Sequence, residues 1–172
     1  FPQTFFDSAY RLDKPMRIQP LPPSEAARLV PLLQDLHSLH VAHHPDRYPA
    51  EPRDETLTDW LQDWLQEDSI TALTAQSPQG ALMGYVVFGL EDRPALPVRF
   101  GARRLMVHHI VVAAPFRRIG VGAALLAEVK QRAKALKVTS IATSYAPFNT
   151  ASQALFASIG LEPINVFAER RI

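Results

Sequence analysis

Apolar residues along the chain recur with two periods, one typical of strands and one typical of helices. Short runs rich in Val, Ile and Leu predict strands, whereas spacings of three and four residues predict helices. The predicted strands cover residues 16–20, 70–75, 82–90, 105–112, 138–144 and 161–168. The predicted helices cover residues 24–42, 54–67, 121–136 and 150–159. This order, β-α-α-β-β-β-α-β-α-β, predicts a mixed α/β sheet with helices on its faces.

The composition is that of a soluble globular protein. The chain has 172 residues, 47% of them apolar and 20% charged, which suits one domain with a proper core. The net charge of +1 gives no electrostatic reason to expect nucleic acid or a membrane surface as a partner. No apolar run reaches the ~18 residues of a membrane span.

The absence of cysteine excludes disulfides, thiolate metal sites and a cysteine nucleophile, and it fits a reducing cytoplasm. Residues 1–15 scatter four aromatic side chains among polar ones, with no continuous apolar stretch like that of a signal peptide. We therefore expect residues 1–15 to form an N-terminal arm that packs on the domain or on a partner subunit, and residues 16–172 to form the domain.

Between residues 110 and 126, a β-branched strand is followed by a turn with two arginines and two glycines, and then by an amphipathic helix. Such a turn directs backbone N–H groups and a helix N-terminus at one point, which suits phosphate. Gly120 and Gly122 let the backbone approach a ligand with no Cβ in the way. A Walker loop is excluded because Ala123-Ala124 stands where Lys-Ser or Lys-Thr is needed, and a dinucleotide fingerprint is excluded by Leu125. A tight turn into a helix, with no ligand, is the alternative.

The spacing Arg117-x-x-Gly120-x-Gly122 after this strand resembles motif A of the GCN5-related N-acetyltransferase (GNAT) family. Residues 149–161 look like the second signature of that family, in which an asparagine precedes a Leu-Tyr pair and a terminal Gly-Phe. The two signatures lie at the family's usual separation, and the predicted element order agrees. The resemblance covers residues 16–170 and implies the GNAT fold, an α/β fold with a mixed, mostly antiparallel central sheet and helices on both faces.

The resemblance implies acetyl-CoA as the cofactor. Its pyrophosphate would lie on the turn, its pantetheine arm would pair with the exposed edge of the preceding strand, and an N–H of that strand would polarise the thioester carbonyl. Asn149 would hydrogen-bond the cofactor arm, and it can also serve as a helix N-cap. The cofactor-binding residues implied in this way are Ile110, Val111, Val112, Arg117, Arg118, Ile119, Gly120, Val121, Gly122, Ala123, Asn149 and Phe156.

Acetyl transfer to an amine needs a base and a tolerated leaving group. His109 stands where some relatives carry a glutamate, and a histidine pKa near ~6.5 suits proton transfer at neutral pH. Adjacent strand residues face opposite sides, so one of His108 and His109 is expected to face the cleft, unless a bulge changes which one. Phe156 replaces a tyrosine that is an acid in many relatives. Tyr145 is a possible substitute, and a thiol pKa of ~8.5 also lets the thiolate leave unprotonated.

The helix end near His40 and the proline-rich loop at residues 45–53 are expected to form one wall of the acceptor pocket, since this region often does so in the family. His40, Tyr48 and His108 are the candidate substrate-binding residues. His37, His40 and His44 share a helix face, but no carboxylate sits at a recognised metal spacing, so no metal site is assigned.

The resemblance thus implies an N-acetyltransferase that moves an acetyl group from acetyl-CoA to a primary amine of a small molecule or peptide, by direct attack in a ternary complex. The alternative is a non-catalytic CoA-binding sensor or regulatory module, which the loss of tyrosine at Phe156 keeps open. Exposed strand edges and the aromatic arm make a homodimer plausible, and a nucleic-acid or membrane partner is not expected.

Overall fold

A five-stranded sheet forms the centre of the computed structural model, which describes residues 16–170 and 172. The expected N-terminal arm at residues 1–15 lies outside the described residues. The strands are β1 (Arg17–Pro20), β2 (Ile70–Gln76), β3 (Leu82–Arg93), β4 (Ala102–Val112) and β5 (Ser140–Thr143). The helices are α1 (Val30–His43), α2 (Asp54–Leu65), α3 (Val121–Ala135) and α4 (Thr150–Ser158). Short 3₁₀ segments cover Pro23–Leu29 and Ala114–Phe116.

The strands lie side by side in chain order, β1-β2-β3-β4-β5. The first four pair antiparallel, and β5 pairs parallel to β4 after the crossover through α3. The prediction of a mixed, mostly antiparallel sheet is therefore confirmed. The parallel pair places the start of α3 next to the end of β4, and this junction forms part of the candidate site.

Helices cover both faces of the sheet, as predicted. On one face, α1 and α2 contribute Leu33 and Leu61 to a core that includes Tyr85 and Val87 of β3. On the other face, the residues that pack together are Val86, Phe88, Leu105, Leu125, Val129 and Phe156. The alternation between Tyr85, Val86, Val87 and Phe88 is the two-residue period of a strand buried on both sides.

The hairpin of β3 and β4 is longer than the apolar pattern predicts, and β4 begins at Ala102 instead of residue 105. Opposite charges pair across the two strands there. Arg104 donates to Glu91 at 2.8 Å, and Arg103 lies 3.3 Å from Asp92. Hydrophobic periodicity carries no signal for such pairs, because both members are polar.

The first predicted helix begins as a 3₁₀ segment, Pro23–Leu29, before it becomes α1. Pro31 is the reason, since it has no N–H to donate to the carbonyl of residue 27 and its ring crowds that carbonyl. The amide of Val30 instead donates to the carbonyl of Ala27, three residues back, which is the 3₁₀ pattern.

The predicted last strand at residues 161–168 is wrong, because residues 161–170 form no helix or strand. Pro163 cannot donate a ladder hydrogen bond, and β5 offers an edge of only 4 residues. Ile164, Val166 and Phe167 are 82% to 91% exposed as a result. An ion pair between Glu169 and Arg47 ties this segment to the loop between α1 and α2.

Candidate active site

The turn between β4 and α3 directs its amides outward. Arg118 and Gly120 both have left-handed backbones, with φ of 66° and 93°. Among the described residues, no backbone carbonyl accepts a hydrogen bond from the amides of residues 118–123. Left-handed residues in a turn at a helix start make a concave cluster of N–H groups, which binds anions. We call residues 117–123 the amide turn.

Arg117, Gly120 and Gly122 contribute to the amide turn in different ways. The Nε of Arg117 donates to the carbonyl of Val112 at 3.0 Å, which folds this side chain back along β4. A Cβ on Gly122 would lie 3.0 Å from Leu155 of α4, whereas a Cβ on Gly120 would meet nothing within 4 Å. Gly122 therefore allows α3 and α4 to pack closely, and Gly120 supplies the left-handed turn.

The strands β4 and β5 separate beyond Val107. Their register pairs residues 104–107 with residues 140–143, and the last pair joins Val107 to Thr143. The hydroxyl of Thr143 donates to the carbonyl of Val107 at 3.0 Å and closes the ladder. In the described part of the chain, the remainder of this β4 edge has no strand partner.

The register of β4 decides which amides face this free edge. The amide of Ala113 donates to the carbonyl of Met83 on β3 at 2.8 Å, and the carbonyl of Val112 points the other way, to Arg117. Because backbone groups alternate along a strand, the amides of Ile110 and Val112 face the free edge, and that of Val111 faces β3. The Val111 side chain is buried against α1 and α2.

A β-bulge in β4 determines the directions of its two histidines. Val107 pairs with Phe88 and His109 pairs with Val87, so His108 is an additional residue on β4. The rings of His108 and His109 lie 5.3 and 5.2 Å from the ring of Trp64 on α2. Both histidines therefore lie on the α2 side of the sheet. Without the bulge, alternation would have placed them on opposite faces.

His109 is the more perturbed of the two histidines. Burial lowers its pKa to about 4, and the positive charges of protonated His108 and His40 act in the same direction. Its Nδ1 is buried and has no hydrogen-bond partner within residues 16–170 and 172. The imidazole is therefore neutral at pH 7. Burial also lowers the pKa of His108, although Glu91 and Glu67 oppose that shift.

The lowered pKa predicts an acid-sensitive fold. The unfolded state binds a proton at His109 below pH ~6.5, whereas the folded state does so only near pH 4, so stability falls as the pH drops between these values. We expect a loss of about 2 kcal/mol between pH 7.5 and pH 5. Urea unfolding at both pH values measures it, with His109→Gln as the control that lacks the titrating group. An equal pH dependence in both proteins would contradict this assignment.

His40 of α1 and Tyr48 of the following loop line the cleft and belong to a cluster of aromatic and histidine rings. The ring of His40 lies 5.1 Å from Tyr48 and 5.4 Å from Phe148, and His43 stacks on Phe148 at 4.0 Å. The Nδ1–H of His40 donates to the carbonyl of Leu36 at 2.8 Å, which leaves Nε2 without a partner on its own helix. Within residues 16–170 and 172, no group of three or more His, Asp or Glu residues could hold a metal ion.

The start of α4 completes the cleft. The carboxamide oxygen of Asn149 accepts from the amide of Ser152 at 3.1 Å, so Asn149 is the N-cap of α4. Tyr145 stacks on the buried Phe156 at 5.9 Å with 15° between the rings.

No helix in the described part of the chain is both long and apolar enough to cross a membrane.

Many of the residues predicted for the site line one cleft, and the amide turn lies outside that lining. The predicted residues found there are His40, Tyr48, His108, His109, Ile110, Tyr145, Asn149 and Phe156. Trp60 of α2 also lines the cleft, with its ring 6.0 Å from that of His109 and 47% exposed. The sequence analysis did not single out Trp60, because it lies among the regularly spaced apolar residues of the predicted helix 54–67, and such spacing is typical of a face that packs on the core.

The chain matches the sequence model of one protein family and resembles several solved structures. The sequence model of the family described as "Acetyltransferase (GNAT) family" matches residues 33–161. No curated protein matches the sequence. Among solved structures, a tetramutant of the BH1408 protein from Bacillus halodurans is 20% identical with a TM-score of 0.83, and the match covers 91% of this chain and 100% of that chain.

Two solved structures that resemble this chain have named activities. The aminoglycoside N-acetyltransferase AAC(6')-Iy in complex with CoA is 19% identical with a TM-score of 0.72, over 95% of this chain and 99% of that chain. A ribosomal-protein-alanine N-acetyltransferase from Brucella melitensis is 22% identical with a TM-score of 0.68, over 92% of this chain and 100% of that chain. At these identities the likeness shows a shared fold.

Proposed function

This chain belongs to the GNAT acetyltransferase family, whose cofactor is acetyl-CoA, and we propose that it transfers the acetyl group to a primary amine of a small molecule or peptide. In this proposal the acceptor attacks the thioester directly, with both reactants bound at once. The observation that carries the proposal is the amide turn. Its N–H groups at residues 118–123 donate to no backbone carbonyl of the described residues, and this stretch contains two left-handed residues and the start of α3. These groups fit a diphosphate.

The amides of residues 118–123 would hold the pyrophosphate, helped by the positive charges of Arg117 and Arg118. The amides of Ile110 and Val112 would pair with the pantetheine arm along the free edge of β4. Bound there, acetyl-CoA supplies a thioester whose carbonyl accepts attack by an amine. Between Val111 and Val112, the Val112 N–H is our candidate for polarising the thioester carbonyl, because it faces the free edge whereas that of Val111 faces β3.

His109 is the proposed base. Its ring lines the cleft, and its buried Nδ1 leaves Nε2 as the nitrogen that would take the proton from the acceptor amine. His40, Tyr48 and His108 would contact the acceptor, and the exposed face of Trp60 would favour an approaching ammonium group. Tyr145 would protonate the leaving thiolate. Phe156 cannot do so, since it has no ionisable proton.

The proposed acceptor class agrees with the size of the cleft. His109 and Ile110 line this cleft, whose volume of about 2130 Å³ leaves room for a small molecule or a peptide terminus. A homodimer and a cytoplasmic location are further expectations of this proposal. Sedimentation at several protein concentrations tests the former.

Release of free thiol tests the proposed activity. We expect the protein to release CoA from acetyl-CoA when a reactive amine from a library is added, and to bind CoA without one. A thiol reagent reads only the product, because the chain contains no cysteine. CoA binding with no thiol release on any amine would instead support the non-catalytic sensor, the alternative that the absence of tyrosine at Phe156 keeps open.

A further inference from the structure

A smaller open cavity lies on α2 beside the cleft. Its volume is about 310 Å³, and the residues that line it are Trp60, Asp63, Trp64 and Glu67. Their spacing of i, i+3, i+4 and i+7 is that of side chains on one face of a helix. The amide of Glu67 donates to the carbonyl of Trp64 at 3.2 Å, so the chain continues this turn just beyond the end of α2. We call these four residues the α2 pocket.

The two indole rings of the α2 pocket form a flat aromatic surface. Their centroids lie 5.4 Å apart, with 24° between the ring planes. Trp60 is exposed, whereas its neighbour Leu61 is fully buried in the core. Indole is the aromatic side chain that attracts cations most strongly. An exposed indole pair inside a cavity therefore favours a cationic ligand.

Two carboxylates share the α2 pocket with the indoles. Asp63 and Glu67 are exposed, and neither forms an ion pair with a Lys or Arg of the described residues. The neighbouring sequence offers no such partner, because residues 54–90 contain six Asp or Glu and no Lys or Arg. A positively charged group in the α2 pocket would thus meet two carboxylates as well as an aromatic surface.

The α2 pocket adjoins the cleft proposed for the acceptor. Trp60 lines both of them, and its ring lies 6.0 Å from that of His109, the proposed base. The ring of Trp64 lies 5.3 Å from that of His108, which also lines the cleft. Burial lowers the pKa of His108, and the negative charge of Glu67 partly opposes this shift, so Glu67 lies within electrostatic reach of the cleft.

We propose that the α2 pocket is a subsite for a second cationic group of the acceptor, an ammonium or a guanidinium, which it holds while the reacting amine lies in the cleft. The preferred acceptor is then a diamine or a basic peptide rather than a monoamine. The inference rests on the proposed function and narrows its substrate class. Trp60 and Trp64 would contact the cation through an indole face, and Asp63 and Glu67 would balance its charge.

Matched acceptors test this subsite. Diaminoalkanes of increasing length are each compared with the alkylamine of the same carbon number, and thiol release is measured. We expect kcat/KM per amino group to be about 10-fold higher for the best diamine, with an optimum at one chain length because the cleft and the α2 pocket are a fixed distance apart. High salt should reduce this preference, because it screens charges that are open to solvent.

Neutral variants of the two carboxylates identify the subsite. In the double variant Asp63→Asn with Glu67→Gln, we expect the ratio of kcat/KM between diamine and alkylamine to fall to about 2-fold. Asp59→Asn is the matched control, because Asp59 is an exposed carboxylate of α2 that does not line the pocket, and its ratio should stay near that of the unmodified protein. An equal fall with Asp59→Asn would overturn the inference, since the whole acidic helix would then be responsible.

A second pair of acceptors distinguishes the two sources of the cation. Peptides with lysine or with norleucine after the N-terminal residue are compared in the same assay. A ratio that depends on Asp63 and Glu67 in either the peptide pair or the diamine pair supports the subsite and identifies its ligand. Ratios near one in both pairs for the unmodified protein would overturn the inference and leave the proposed function intact.

Calorimetry with the diaminoalkanes gives a readout that does not need acetyl transfer. The unmodified protein should bind a diaminoalkane several-fold more tightly than the double variant does. If it does so but releases no thiol with any amine, the subsite is supported and the proposed function alone is contradicted.

Discussion

Replacing Gly120 by valine is expected to weaken CoA binding about 100-fold while the protein still folds. Gly120 has a φ of 93°, which a β-branched residue adopts only with strain, so valine would turn the flanking peptide planes away from their common point. Losing two amide hydrogen bonds to a charged group, at about 1.5 kcal/mol each, gives about 3 kcal/mol. That is about 100-fold in Kd, which calorimetry with CoA measures.

The chain offers a matched control for this experiment. Gly80 has a φ of 87°, and a Cβ added there would meet nothing within 4 Å, as at Gly120, but Gly80 lies in the turn between β2 and β3. Gly80→Val should therefore have a similar cost in unfolding free energy and leave CoA affinity unchanged. Equal affinity in Gly120→Val and Gly80→Val would show that the amide turn does not hold the diphosphate, and the basis of the proposed function would be lost.

The sequence predicted most of the fold because its strands and helices are strongly periodic. The interior of β3 is a continuous apolar run because it is buried on both faces, and α3 has an apolar stripe because one of its faces packs on the sheet, so local spacing reports both directly. The segment at residues 161–168 has a similar apolar content, but a strand also needs a paired edge. Pro163 and the short β5 prevent that pairing, and neither effect can be evaluated from local spacing alone.

The candidate site, like the fold, could be predicted from the sequence only in part. The amide turn was predictable, because its conformation is set by a short stretch that contains Gly120 and Gly122. The orientation of His108 and His109 was not, because it depends on the bulge opposite Val87 and therefore on how two strands pair.

Replacing His109 by glutamine is expected to lower kcat by about 10²- to 10⁴-fold and to leave the Kd for CoA unchanged. Glutamine keeps much of the volume of the side chain but cannot take a proton from the acceptor. The amide turn lies outside the lining of the cleft that contains His109, so the affinity of the amide turn for the diphosphate should not change. Steady-state kinetics with acetyl-CoA and a productive amine, together with calorimetry, measure the two quantities.

The pH profile distinguishes a lost base from a disturbed cleft. A base must be neutral, and burial lowers the pKa of His109 to about 4, so kcat in the unmodified protein should fall as the pH drops through that value and not near 6.5. This acid limb should vanish in His109→Gln. His43→Gln is the matched control, because His43 stacks on Phe148 outside the residues that line the cleft and has no assigned role in transfer. A surviving acid limb in His109→Gln would move the base to another residue, and His40 would be the next to test, because its Nε2 has no partner on α1 and its ring lines the same cleft.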